Sequence, residues 1–251
     1  MSTPPVPFLA VDAGNSSVKA GAWDGRWLRV ERWPSDDATA ETWAGRLRAL
    51  APGASAAGVA SVVPALTAGL VEAAASVSAA PPVVVSAGLP LPFRMAYGTP
   101  ATLGADRLAA AVAAWALAGG PPVVAVDAGT AVTVDAVSAE PAYLGGAILP
   151  GPDLLRRALA RGTGQLPDVA FAAPPSSIGA TTAESVQSGL TNLLLGGVDR
   201  LLRQTADALG AEPALVVTGG WGPWLADALG RGRVEPHLVL DGVRLLTAPP
   251  A

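Results

Sequence analysis

Two short runs in this chain have the composition of phosphate-handling turns. Asp12-Ala13-Gly14-Asn15-Ser16-Ser17 follows the apolar run Phe8-Leu9-Ala10-Val11. Glycine lets a backbone approach a ligand closely, and neighbouring N–H groups can then point at phosphate oxygens. An aspartate there can bind Mg²⁺ directly or through water, because hard cations take oxygen ligands. The plainer alternative is a hairpin turn, in which Asp, Gly and Asn are ordinary residues. Asp127-Ala128-Gly129-Thr130-Ala131-Val132-Thr133 is the second run, after Val123-Val124-Ala125-Val126, and Thr130 and Thr133 add hydroxyl donors. The tetrad Val-Asp-Ala-Gly thus returns 115 residues on. One copy alone reads equally well as a turn; two in matching surroundings read as a pair of phosphate clamps facing one cleft.

Other residues could add to that chemistry. Lys19 is the single lysine among 16 Lys and Arg and stands just after the first run. Lysine is a compact point charge that suits phosphate where a planar Arg fork does not fit, although an exposed strand position explains it as well. Gly104-Ala105-Asp106-Arg107 opens an apolar stretch. Asp106 there could cap a helix, which is the plainer reading of these four residues. It could also take a proton from a substrate while Arg107 holds an anion. Thr218-Gly219-Gly220 follows a buried run and precedes a helical one, a place for a base or ribose to lie on glycine. Neither a dinucleotide fingerprint nor a Gly-Lys-Ser/Thr P-loop occurs. His237, the only histidine, reads as structural.

The elements that must hold these residues alternate along the chain. Short β-type runs are expected over Phe8–Val11, Val18–Trp23, Trp27–Trp33, Gly58–Val63, Val83–Val85, Val123–Val126, Val132–Val137 and Leu215–Val217. The spacing predicts helices over Glu41–Leu50, Leu66–Val77, Asp106–Leu117, Asp153–Ala160, Thr182–Leu209 and Trp221–Leu229. Strands with intervening helices mean an α/β protein. The repeated tetrad divides it into tandem halves, 1–118 and 119–251, with the boundary near Gly119–Pro122. Trp23, Trp27, Trp33 and Trp43 read as packing within the first half.

Bulk composition narrows the function. Hydrophobic residues make up 51% and charged residues 14%, enough for a large core and contrary to disorder. A net charge of −4 argues against nucleic acid, which demands a basic patch. With no cysteine, disulfides and thiolate metal sites are excluded. Met1-Ser2-Thr3-Pro4-Pro5 lacks the basic start and apolar run of a signal peptide. No apolar stretch of about 18 residues suggests a membrane span, so a cytoplasmic protein with no membrane partner is expected. The mean hydropathy is +0.42. The helix over Asp106–Leu117 shows almost no polar face, so burial against a second subunit, as a homodimer, is expected.

In this order, the motifs resemble the type III pantothenate kinases nearly end to end. The resemblance rests on Asp12-Ala13-Gly14-Asn15, Ser61-Val62-Val63-Pro64, Tyr97, Leu103 to Arg107, and Asp127-Ala128-Gly129-Thr130-Ala131. It continues through Tyr143 to Ile148, Pro150-Gly151, Ile178-Gly179, Thr182, Gln187-Ser188-Gly189, Thr218-Gly219-Gly220 and His237 to Gly242. It implies two tandem ribonuclease-H-like, actin-type ATPase domains with mixed sheets and a cleft between them, and ATP-dependent phosphorylation of pantothenate. That reaction is the first step of coenzyme A biosynthesis. Carried over by position, Asp12, Ala13, Gly14, Asn15, Ser16, Ser17, Val18 and Lys19 form the first ATP loop, with Asp12 toward Mg²⁺. Thr130, Gly219 and Gly220 are further ATP contacts, and Asp127 ligates a monovalent cation, K⁺ or NH₄⁺. Asp106 is the catalytic base, and Tyr97, Gly104, Ala105, Asp106, Arg107 and Thr182 contact pantothenate near a homodimer interface. Three features depart from the family. Ser16 stands where Thr is usual. Ala180-Thr181-Thr182 replaces a segment that often carries a basic residue. Trp221 and Trp224 crowd the Gly219–Gly220 turn. Another small-molecule kinase of the same fold, or a non-catalytic regulatory relative, are the alternatives.

Overall fold

The structure is a computed structural model that describes residues 7–35, 38–120, 122–173 and 176–249. The expectation about Met1–Pro5 and the Pro121 of the expected boundary lie outside the described residues. In chain order the elements are β1 (Phe8–Ala13), β2 (Ser17–Trp23), β3 (Trp27–Pro34), α1 (Ala40–Leu50), β4 (Ala56–Ser61), α2 (Pro64–Ala75), β5 (Val83–Val84) and β6 (Arg94–Met95). A 3-10 turn over Pro100–Thr102 leads into α3 (Ala105–Ala118). Then come β7 (Val123–Ala128), β8 (Ala131–Val137), β9 (Ala142–Pro150), α4 (Pro152–Gly162), α5 (Thr182–Leu209), β10 (Ala214–Thr218), α6 (Gly222–Leu229), β11 (Arg233–Val234) and α7 (Leu238–Thr247).

The described chain forms two compact units, one from 1–117 together with 237–251 and the other from 118–236. In the first, the strand order is β3-β2-β1-β4-β5. Strands β1, β2 and β3 pair antiparallel, while β1–β4 and β4–β5 are parallel. The second unit repeats the plan as β9-β8-β7-β10-β11, antiparallel through β7, β8 and β9 and parallel through β10 and β11. The repeated tetrad therefore marks the same place in both sheets, the end of the central strand at its hairpin.

Alternation along the central strands, which are buried on both faces, sorts their residues between the two faces. In β1, Leu9, Val11 and Ala13 are buried under Trp43 and Leu47 of α1 and Leu66 and Leu70 of α2. In β7, Val124, Val126 and Ala128 are buried under Leu190, Leu194 and Val198 of α5 and Leu225 of α6. Because side chains alternate with period two, Asp12 and Asp127 fall on the opposite faces from these cores. Burial of such Leu and Val side chains contributes roughly 1.5–3 kcal/mol each, so the register that turns Asp12 away from α1 and α2, and Asp127 away from α5 and α6, is strongly fixed.

Three expectations are corrected. Residues 237–251, assigned with the second half, pack with the first unit. The reason is shape and one polar tether. Added Cβ atoms on Gly58 and Gly242 would run into Thr247 and Ala109, so these glycines let α7 lie directly on β4 and α3. Trp27 Nε1 donates to Asp241 Oδ1 at 3.1 Å. The run Val83–Val85 is not a buried strand: Val83 and Val84 form a two-residue edge strand and are 37% and 40% exposed. The apolar helix α3 does not need a second subunit to cover it, since Ala105 and Arg107 through Ala114 are already buried in the single chain.

Candidate active site

The first hairpin is held by its neighbours on both sides. Gly14 N–H donates to Ser17 O at 3.0 Å, closing the turn, and Val62 N–H donates to Ala13 O. From the end of β3, Ser35 Oγ donates to Gly14 O at 2.5 Å, and Arg32 Nε donates to Ser17 Oγ at 2.8 Å. Asn15 and Ser16 are exposed at the tip. Ala13 and Val18 are wholly buried, so their backbone is what they can offer a ligand. Lys19 pairs in register with Asp12 and with Arg32. Direct cross-strand partners share a sheet face, with Cβ atoms about 5 Å apart. The single lysine is thus on the face of the aspartate, beside a second cation that sequence inspection did not single out.

The second hairpin is one residue shorter. Gly129 N–H donates to Ala131 O at 2.9 Å, and Thr130 is exposed at its tip. Asp127 has Thr133 in register on β8 and the buried Thr218 on β10. The Gly219–Gly220 turn then folds back over Asp127. Trp221 N–H donates to Ala128 O at 2.9 Å. Gly219 has φ +91°, and a Cβ there would strike Ala128 O and Asp127 Oδ1. Only glycine satisfies both the positive φ and the close approach. Trp221 and Trp224 pack edge-on against Phe171, with centroids 5.4 and 5.1 Å away. Trp221 Nε1 also donates to Asp153 Oδ2 at 3.3 Å.

The start of α3 separates the two readings of Asp106. Gly104 O accepts from Leu108 N–H at 3.1 Å, the first intrahelical bond, so Gly104 occupies the cap position. Asp106 lies inside the first turn, where its Oδ1 accepts the N–H of Arg107 at 2.7 Å. A Cβ on Gly104 would come within 2.6 Å of that Oδ1. The glycine of this motif therefore leaves room for the carboxylate. Arg107 is 8% exposed, and its guanidinium carbon lies 6.0 Å from the Tyr97 ring centroid, at the outer limit of a cation–π contact. Alanine at position 104 would push Asp106 off its anchored position. A sub-ångström displacement of a reacting group costs about tenfold. Gly104→Ala is accordingly expected to lower kcat by about that factor while melting near wild type, checked by steady-state rates and thermal unfolding.

A cavity of about 890 Å³ adjoins this helix start. Gly104 and Ala105 form part of its wall, and Ser61, Thr67, Ser86 and Thr102 supply hydroxyls. Ser61 also ties down the start of α2, accepting from Val63 N–H at 3.2 Å and from Thr67 Oγ1 at 2.9 Å. Its motif was visible in the sequence without a role. Thr182 belongs to the second unit and is the exposed first residue of α5. Thr181 caps that helix by accepting from Glu184 N–H, and Glu184 Oε2 accepts from Ala180 N–H at 2.7 Å. Asp12 to Lys19, Tyr97 and Gly104 to Arg107 thus share the first unit. Asp127, Thr130, Thr182, Gly219 and Gly220 share the second.

Comparison with known proteins decides what these parts belong to. Residues 8–204 match the family model described as type III pantothenate kinase. The chain belongs to the type III pantothenate kinase family. A type III pantothenate kinase of Anaeromyxobacter sp. (strain K) is 39% identical over 254 residues, covering 95% of this chain and 98% of the relative. That of Moorella thermoacetica is 34% identical over 253 residues, with the same coverage of 95% and 98%. Among solved structures, a Campylobacter jejuni protein described as a Baf family transcriptional activator superposes with TM-score 0.61 at 21% identity, covering 95% of this chain and 96% of that one. MreB 5 of Spiroplasma citri bound to AMPPNP gives TM-score 0.53 at 11% identity, covering 97% and 96%. A glucokinase of the ROK family from Streptomyces griseus gives 0.52 at 16%, covering 96% and 99%. At such identities the likeness concerns the fold alone, which this pantothenate kinase family member shares with the sugar kinase and actin-type ATPases.

Proposed function

We propose that this chain transfers the terminal phosphoryl group of ATP to the primary hydroxyl of pantothenate, giving 4′-phosphopantothenate and ADP in coenzyme A biosynthesis. The observation that carries this reading is the start of α3. It presents an anchored carboxylate, a buried guanidinium and a glycine that makes room for the carboxylate, next in sequence to the residues Gly104 and Ala105 that line a cavity. Arg107, with Tyr97, Ala105 and Thr182, holds the acid and its polar groups. Asp106 accepts the hydroxyl proton as the oxygen–phosphorus bond forms and the bond to the β-phosphate oxygen breaks. The proton leaves to solvent from the carboxyl group and the electron pair departs with ADP.

The two hairpins serve the nucleotide. Backbone N–H groups around Gly14 and Gly129, with Asn15, Ser16, Thr130 and Lys19, face its phosphates, while Gly219 and Gly220 carry its base or ribose. Asp12 fits Mg²⁺ as a hard oxygen donor at a strand end beside the turn. Among the described residues no group of three or more His, Cys, Asp or Glu forms. Mg²⁺ needs none, since it keeps several waters and takes one or two carboxylates plus phosphate oxygens. When bound, the ion offsets the triphosphate charge. Asp127 fits a monovalent cation, because its carboxylate and the Ala128 carbonyl both border the space at Gly219. Homodimeric assembly and a cytoplasmic location are carried by the family resemblance. Among the described residues no helix is long and apolar enough to cross a membrane.

Purified protein with Mg²⁺ and ATP should release ADP on addition of pantothenate and respond to acetate, glycerol or glucose far less. Equal turnover of one of those three would move the assignment to another kinase of this fold. Rates should also be higher in K⁺ than in Na⁺, with the difference abolished in Asp127→Ala. Full activity without K⁺ or NH₄⁺ would contradict the role of Asp127.

A further inference from the structure

Residues 163–181, between α4 and α5, form no regular element in their described part, yet they are tied down along α5. Gln187 Nε2 donates to Ala170 O at 3.2 Å, and Thr191 Oγ1 donates to Ala172 O at 3.1 Å. Ser188 Oγ donates to Ser177 O at 2.8 Å. Ser188 and Thr191 are 6% and 4% exposed, and a buried polar group that loses its partner keeps its full desolvation cost. Asn192 Nδ2 adds bonds to Ser188 O and Oγ at 2.9 and 3.3 Å, which hold that hydroxyl in place. Nearer the helix, a Cβ on Gly179 would collide with the backbone of Glu184 and Ser185, so this segment lies flat on the first turn of α5.

The straps stand between two groups that the proposed function uses. On one side, the Ser177 bond and the Gly179 contact set the path of the chain into Thr182, the first residue of α5. On the other, the Ala170 and Ala172 carbonyls flank Phe171. Phe171 packs on Trp221 and Trp224, directly after the Gly219–Gly220 turn over Asp127. Trp221 is tied in turn to Asp153, which also pairs with Arg156 at 3.7 Å, while Arg156 pairs with Asp168 of the same segment. Gln187-Ser188 is a motif on α5 that the proposed chemistry leaves without a task.

We infer that Gln187, Ser188 and Thr191 are positioning residues: Ser188 sets Thr182 for pantothenate, and Gln187 and Thr191 set Phe171 behind the nucleotide turn. The inference rests on the proposed function. It separates the straps by substrate, which a merely structural role would not do. Initial rates should be measured for wild type, Ser188→Ala, Gln187→Met, Thr191→Val and Thr191→Ser with pantothenate and Mg²⁺-ATP each varied, alongside thermal unfolding. In Ser188→Ala the KM for pantothenate should rise roughly three- to tenfold, the size of one hydrogen bond, with the KM for ATP within about twofold of wild type. Gln187→Met and Thr191→Val should show the reverse split. Thr191→Ser keeps the hydroxyl and should keep the wild-type KM for ATP. Lower melting temperatures with both KM values unchanged would overturn the inference while leaving the function standing. A wild type with no pantothenate-dependent turnover would overturn both. Gln187 is only half-buried, so Gln187→Met decides the matter should Ser188→Ala fail to fold.

Discussion

Asp106→Asn is expected to fold and melt close to wild type while losing about 10²- to 10⁴-fold in kcat, the usual cost of removing a general base. The geometry makes this variant informative. The helix cap is Gly104, so the substitution leaves the first intrahelical bond intact. The amide oxygen of Asn can still accept the Arg107 N–H that Oδ1 accepts at 2.7 Å. What goes is the negative charge in the first turn, worth about 0.3–1 kcal/mol at a helix start, and the capacity to take a proton. ATP binding should survive, because the groups proposed to hold the nucleotide lie on the two hairpins and the Gly219–Gly220 turn. Wild-type kcat in Asp106→Asn would sink the assignment of the base. A loss of only about tenfold would mean that positioning and electrostatics carry the transfer, as phosphoryl transfer permits.

Gly219→Ala should act on the other substrate. A non-glycine residue at φ +91° stores strain of about 1–3 kcal/mol. The new methyl would also strike the Ala128 carbonyl and the Asp127 carboxylate. Relief requires the turn to lift, which moves Trp221 from Ala128 and disturbs the oxygens beside Asp127. A shift of about 1 Å in a substrate-positioning element costs about 10²-fold. We expect kcat/KM for ATP to fall by about that factor, with Tm lowered and pantothenate affinity little changed. Pantothenate binding by calorimetry and ATP kinetics would check this. An unaltered kcat/KM for ATP would show that the turn has no part in holding the nucleotide.

The sequence showed much of this arrangement, and the parts it hid share a physical cause. The hairpins were legible because a buried apolar run that stops at Asp-Ala-Gly has few other ways to continue. Helix α5 was legible to its ends because Thr181 and Gly210 flank it as cap residues. Val83–Val85 misled, since composition does not say whether a β-branched run lies at the centre or the edge of a sheet. Helix α7 went unassigned because its Leu238-Val239-Leu240 start is strand-like in composition. It becomes a helix on a surface made by Gly58 and Ala109, residues distant from one another in sequence, with its own Gly242 allowing the close approach to Ala109. The reading of Asp106 as a cap gave way to Gly104 because glycine also serves at that position. The cavity was invisible, being assembled from 61–67, 85–88 and 100–105. The straps on 163–181 end on backbone carbonyls, which have no signature in side-chain identity.

Phosphorus NMR of the purified protein with Mg²⁺, K⁺, ATP and pantothenate tests the central claim most directly. The expected result is one new phosphomonoester resonance, split by an adjacent methylene group, growing in step with ADP. Asp106→Asn under the same conditions should give little of it. ADP accompanied only by inorganic phosphate, or no change in the ATP signals when pantothenate is added, would contradict the transfer of phosphoryl to pantothenate by this protein.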